Sequence, residues 1–183
     1  MPAPAAAHPL TDPQQASDLL LYRLAKLTAV SARLVTRLCE GQYGITRREW
    51  GVLMWLAQQP GLPPSALAER LELDRARTSR AIASLLAKGL VQRHAQPGNR
   101  RQAVLQLTEA GQQLHQTLFP QIREINLRML APLAPADAAQ LDATLAQLQQ
   151  QAEQMLLQPA EPRVYPPRSA RPNYQNKSSS RSS

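Results

Sequence analysis

Four side chains able to bond an anion crowd the stretch from Asp74 to Arg80: Arg75, Arg77, Thr78 and Arg80. A guanidinium presents forked donors that match guanine edges and phosphate oxygens, and a threonine hydroxyl can bond to either. A second basic pair, Arg100 and Arg101, follows Pro97-Gly98-Asn99, a run with turn chemistry. Ser65 comes just after Pro63-Pro64, where a helix N-terminus can receive a phosphate. The chemistry on offer is recognition of a polyanion. Catalysis has no candidate: the chain lacks a phosphate loop, an H-E-x-x-H pair and a serine nucleophile elbow, so neither enzyme activity nor a cofactor is expected. His8, His94 and His115 are scattered, no Cys/His pair has ligand spacing, and no metal is expected.

The 183 residues hold Lys+Arg 21 against Asp+Glu 13, a formal net charge of +8. Its distribution is uneven. Residues 70–101 combine Arg70, Arg75, Arg77, Arg80, Lys88, Arg93, Arg100 and Arg101 with only Glu72 and Asp74. Residues 102–158 are net acidic. The segment 158–183, rich in Pro, Ser and Arg and without apolar periodicity, reads as a disordered basic tail. One cysteine rules out an intramolecular disulfide and fits a reducing cytoplasm. No apolar run approaches the ~18 residues of a membrane helix and no secretory signal is read, so a cytoplasmic protein without membrane contact is expected. Aromatic content of 4% leaves the core to Leu and Ala.

The elements that must position these groups are mostly helical. After a flexible arm, 1–16, whose first dozen residues look extended, Leu20, Leu24, Leu27, Leu34 and Leu38 recur at helical spacing, with Ser17 as N-cap and Gly41 and Gly44 as terminators. Thr46-Arg47-Arg48-Glu49 has capping-box form, and Ile45 and Trp50 form its hydrophobic staple. A short helix begins at Pro63-Pro64. Another begins after Asp74, with Ala76, Ile82, Ala83, Leu85 and Leu86 free to face the core, and ends at Lys88-Gly89-Leu90. The period then becomes alternating: 91–96 and 103–107 read as two strands around the Pro97-Gly98-Asn99 turn. Thr108 caps a further helix, in which Pro120 predicts a kink or break. A last helix repeats Ala138, Leu141, Leu145, Leu148, Ala152 and Met155 as a seam that needs a partner.

Helix, tight turn, helix and basic hairpin together predict a winged helix-turn-helix, mainly α with a small β-hairpin wing. The start of the Asp74 helix suits a major groove, and the hairpin arginines suit the neighbouring backbone or minor groove. At these residues the chain resembles the MarR transcription regulators. ITRREWGVLMWLA resembles the helix before the DNA reader, PSALAERLELDRARTSRAIASLLAKGLV the helix-turn-helix, and NRRQAVLQLTEAG the wing motif D-x-R-x-x-x-L-x-L-T. The wing Asp is Asn99 here, so the usual ion pair that orients Arg101 is absent, although Asn can still accept a bond from Arg.

The resemblance covers about residues 18–157. It implies a homodimer joined by a first dimerisation helix, 17–44, and C-terminal helices, 108–157, around a DNA-binding domain, 45–107. It further implies repression at a pseudo-palindromic double-stranded DNA operator, relieved by a small molecule. Arg33 and Arg37, one turn apart, with Arg48, Trp50 and Trp55 would form an arginine fork near indoles, suited to an aromatic acid. Other readings stay open: a ligand-independent architectural DNA-binding protein, a winged-helix scaffold for protein contacts, or a redox-sensing regulator acting through Cys39.

Overall fold

The computed structural model describes residues 8–96 and 99–158, excluding the side chains of residues 96 and 99–102. The expected tail beyond 158 lies outside these residues. In chain order come a 3-10 turn, Ala16–Asp18, then α1 (Leu20–Tyr43), α2 (Arg47–Gln58), α3 (Pro64–Arg70) and α4 (Arg75–Ala87). A hairpin of β1 (Val91–Gln96) and β2 (Asn99–Leu107) follows, then α5 (Glu109–Leu130) and α6 (Pro135–Leu157). This is the mainly helical winged-helix architecture that the sequence predicts. Of the described residues, those up to Pro132 form one compact unit, and those from Leu133, with α6, form a second.

The helix ends follow local chemistry, with one exception. Thr46 accepts a hydrogen bond from the Glu49 backbone and Glu49 bonds back to the Thr46 N–H, the expected capping box. Pro64 opens α3 at its first position. Asp74 caps α4 by accepting from the Arg77 N–H at 2.7 Å. Ser17 does not cap α1. The side chain that closes this end of the chain is Asp18, which accepts from the backbone N–H groups of Gln14 and Gln15 at 3.1 and 3.2 Å. Residues 8–16 are correspondingly drawn into turns, with Thr11 N–H donating to the His8 carbonyl at 2.8 Å, instead of running extended. α1 passes through Gly41 and stops at Gly44, whose φ of 62° is a left-handed cap.

The core is built from α2 outward. Trp50, Val52, Leu53 and Leu56 meet Leu67 of α3, Ala81, Ile82 and Leu85 of α4, Leu105 and Leu107 of β2, and Leu118 of α5. On α4 the inward edge is Thr78, Ala81, Ile82 and Leu85, at helical spacing. Ala76 and Ala83, expected inward, lie off that edge and are exposed. The hairpin pairs antiparallel from Val91↔Leu107 to Ala95↔Ala103, and β2 begins at Asn99, earlier than the alternation predicts. A third rung joins it: Gly61 N–H donates to the Leu105 carbonyl and Leu105 N–H to the Leu62 carbonyl, both at 2.9 Å. The α2–α3 connection thereby fixes the hairpin base to α2.

α5 runs unbroken through Pro120, against the expected break. Pro120 is exposed, so the carbonyl its ring leaves unbonded can face water while Leu118 and Ile122 keep the packing. α6 keeps no buried residue, and Leu141, Leu145 and Leu148 are each about two-fifths exposed at 40%, 43% and 38%.

Where the hairpin returns to α5, Thr108 accepts from the Gly111 N–H at 3.1 Å and donates its hydroxyl to the Gly89 carbonyl at 2.7 Å. The first turn of α5 consequently lies against the chain leaving α4. A Cβ on Gly111 would collide with the Leu90 carbonyl oxygen. Gly111→Ala is therefore expected to lower the urea midpoint. An overpacking cost of about 1–3 kcal/mol exceeds the helix-propensity gain of up to about 1 kcal/mol. An unchanged or raised midpoint would contradict this close approach.

Candidate nucleic-acid interface

With Thr78, Ala81, Ile82 and Leu85 turned inward, helical geometry turns Arg75, Arg77 and Arg80 outward, and all three are exposed. They occupy the first turns of α4, where the helix dipole adds positive potential. Thr78, expected on this surface, is a correction. It is 1% exposed, and its hydroxyl donates to the Asp74 carbonyl at 3.1 Å, so it belongs to the inward edge. Arg77 is oriented by its own cap: its Nε lies 3.0 Å from Asp74 Oδ2.

Two shallow clefts flank the start of α4. Arg75 and Ser79 border one with the exposed Ser65 at the beginning of α3. Arg77 and Arg80 border the other with Arg48 at the beginning of α2. Arg100 and Arg101 lie on β2 next to the hairpin turn, but their side chains are outside the described residues. His94 is exposed on β1.

α4 is held from its other end by an interaction that the sequence does not announce. Lys88 Nζ donates to the Glu49 carboxylate at 2.8 and 3.0 Å and to the Gly44 carbonyl at 2.8 Å. Glu49 is 1% exposed. Burial works against its ionised form, but hydrogen bonds from Lys88, Ser84 and the Thr46 backbone outweigh that and hold its carboxyl below the usual range. Lys88 is thus committed to the fold and is not part of the outward charge of α4.

Behind this surface α1, α2 and α5 enclose a cavity of about 620 Å³. Trp50, Trp55 and Arg48, three of the ligand candidates, line it together, and so do Arg47 and Arg70, which the sequence does not single out. The Arg70 guanidinium lies 5.1 Å from the Trp55 ring centroid. Trp50 stacks on His115, which stacks in turn on Phe119, and burial lowers the His115 pKa. Arg33 and Arg37 do not join the cavity. On α1 it is lined by Thr28, Ser31, Ala32 and Val35, and the helical period carries Arg33 and Arg37 to another face. Arg37 instead borders a separate groove of about 400 Å³ with Arg128.

Cys39 is fully buried. Burial and then Glu40 push its thiol pKa up, while Arg47, not Arg37, pulls it down. The reactive thiolate is therefore disfavoured, which argues against the redox reading.

The comparisons with known proteins agree with this geometry. A model described as MarR family matches residues 43–102. Over 90 residues, 47% of this chain, it is 32% identical to a proposed transcriptional regulatory protein for the hcr operon of Thauera aromatica. That match spans 54%, about half, of the relative's length. The PcaV transcriptional regulator of Streptomyces coelicolor, solved in complex with its natural ligand, is 26% identical with a TM-score of 0.61, covering 81% of this chain and 99% of its own. The MepR of S. aureus, solved with DNA, shares the fold at 21% identity and a TM-score of 0.67, covering 73% and 98%.

The Glu49–Lys88 pair has a measurable signature. Lys88→Met leaves a buried carboxylate without its cation and should cost about 1–3 kcal/mol at neutral pH. Because the folded-state pKa of Glu49 is depressed, the stability it contributes is present above the ordinary value of 4.5 and is lost as pH falls through the folded value. Urea unfolding from pH 7 to pH 3.5 should show the gap between wild type and variant narrowing in acid. A gap that stays constant would contradict the pairing.

Proposed function

We propose that the chain, whose residues 43–102 match a model described as MarR family, is a sequence-specific transcriptional repressor. It sits on a pseudo-palindromic DNA operator as a homodimer and leaves when a small aromatic carboxylate binds. The observation that carries this reading is the two-edged α4. Its inward edge is packed on α2, and its outward edge offers Arg75, Arg77 and Arg80 from the first turns. An edge so held can follow a major groove, with Ser65 serving a phosphate beside it and Arg100 and Arg101 serving the wing.

Homodimerisation is supported by the apolar surface left on α1 and, separately, on α6. Leu27, Val30 and Leu34 on α1 are 57%, 56% and 43% exposed, and Leu141, Leu145 and Leu148 repeat along α6. Such a surface belongs against another protein. Release by an aromatic acid is supported by the cavity, which sets Arg47, Arg48 and Arg70 around two indoles with no Asp or Glu among its lining residues. No described helix is long and apolar enough to cross a membrane.

Selection of bound fragments from genomic DNA tests the function. A recurrent inverted repeat is expected, and fragments without a shared sequence would contradict specific recognition. On the recovered site, Arg77→Ala should cost about 1–3 kcal/mol and relax sequence preference, whereas Arg100→Ala should weaken all duplexes alike. Equal losses on specific and random DNA for both variants would overturn that division. Titration with benzoates and phenylpropenoates in a mobility-shift assay should release the operator, and no release by any of them would remove the effector reading.

A further inference from the structure

Arg48 borders two separate spaces. It lines the large cavity between α1, α2 and α5, and it lines the small cleft that holds Arg77 and Arg80 at the start of α4. No other residue is common to the two linings. Its position explains this. Arg48 is the second residue of α2, on the turn between the cavity side and the α4 side of that helix, and its side chain is exposed.

Neither space supplies it with a counter-ion among the described residues. No acid lines the cavity. The cleft contains Glu49, but that carboxylate is buried and already bonded to Lys88 and to the Thr46 N–H. Asp74 is likewise engaged, by Arg77. Arg48 is therefore a cation with an apolar, aromatic space on one side and two further guanidiniums on the other.

We propose that Arg48 is shared between DNA and effector. Beside Arg77 and Arg80 it binds a backbone phosphate when DNA is present. Turned into the cavity, it binds the carboxylate of the aromatic effector with Arg47 and Arg70. One guanidinium cannot make both charge-assisted bonds at once, so the two anions antagonise each other through it. This rests on the cavity being the effector site, as proposed above. It adds the residue through which occupancy is communicated, and by linkage the antagonism must be reciprocal.

The experiment uses the full chain and a random 24-bp duplex, so no operator need be known. The only two tryptophans, Trp50 and Trp55, both line the cavity and report its occupancy by fluorescence. The probes are benzoate, 4-hydroxybenzoate and p-coumarate. Arg48→Gln is compared with Lys26→Gln, an equal charge change on an exposed residue lining neither space, after both variants are shown to melt with wild type. In wild type, a probe should bind, and saturating duplex should weaken it several-fold. Arg48→Gln should reduce the slope of log affinity for duplex against log salt by about 1. It should also bring the probe–duplex antagonism close to onefold, while Lys26→Gln changes neither. A probe that binds without antagonism in wild type overturns the sharing and leaves the effector site standing. So does antagonism that survives in Arg48→Gln. If no probe alters tryptophan fluorescence in wild type, the effector site itself falls, and the sharing with it.

Discussion

The buried carboxylate of Glu49 fixes the geometry on which the arginine-bearing edge of α4 depends. It closes the capping box at the start of α2 and receives Lys88 from the end of α4, 39 positions along the chain. Lys88 also reaches the Gly44 carbonyl, at the left-handed cap of α1. Three helix ends therefore meet at one ion pair. An ionised carboxylate is tolerated at 1% exposure only because its oxygens are fully engaged. Loss of one partner would leave a charge in the core, so the arrangement resists small shifts of α4 against α2.

That rigidity gives α4 its use. A helix that slid or rolled would present different side chains to a groove, and recognition by guanidinium forks depends on direction. Packing through Ile82 and Leu85, capping by Asp74 and the Lys88 anchor together determine which edge faces out. The hairpin is held with similar economy, through the rung between Leu62 and Leu105 and through the close approach of Gly111 to Leu90.

Much of this is legible in the sequence, and the misses have physical causes. Thr46-x-x-Glu49, Asp74, Pro64 and the Gly89 turn each encode a helix boundary within a few residues, so propensity and capping suffice to place them. Thr78 is misassigned when its polarity is weighed above its position. It lies four and seven residues before Ile82 and Leu85, a spacing that marks it as inward. The Lys88–Glu49 pair and the Leu62–Leu105 rung connect distant segments, and nothing local announces them. Among the ligand candidates, Trp50, Trp55 and Arg48 come to line one cavity, whereas helical phase carries Arg33 and Arg37 away from it. Arg70 reads only as a member of a charge block, and its place over Trp55 emerges only when α3 packs beside α2. For α1, the Leu repeat marks a true stripe, yet none of its leucines is buried within one chain: Leu27 and Leu34 are exposed and Leu20, Leu24 and Leu38 are half-buried.

The exposed stripes on α1 and on α6 and the arginine edge of α4 are the features that support the proposed homodimer on a DNA site of matching two-fold symmetry. Hydroxyl-radical footprinting of the full chain on a bound genomic fragment tests that combination most directly. Two equivalent protected patches centred ~34–36 Å apart along the duplex, related by an inverted repeat, are predicted. A single protected patch, or continuous protection that lengthens with protein concentration, would contradict it.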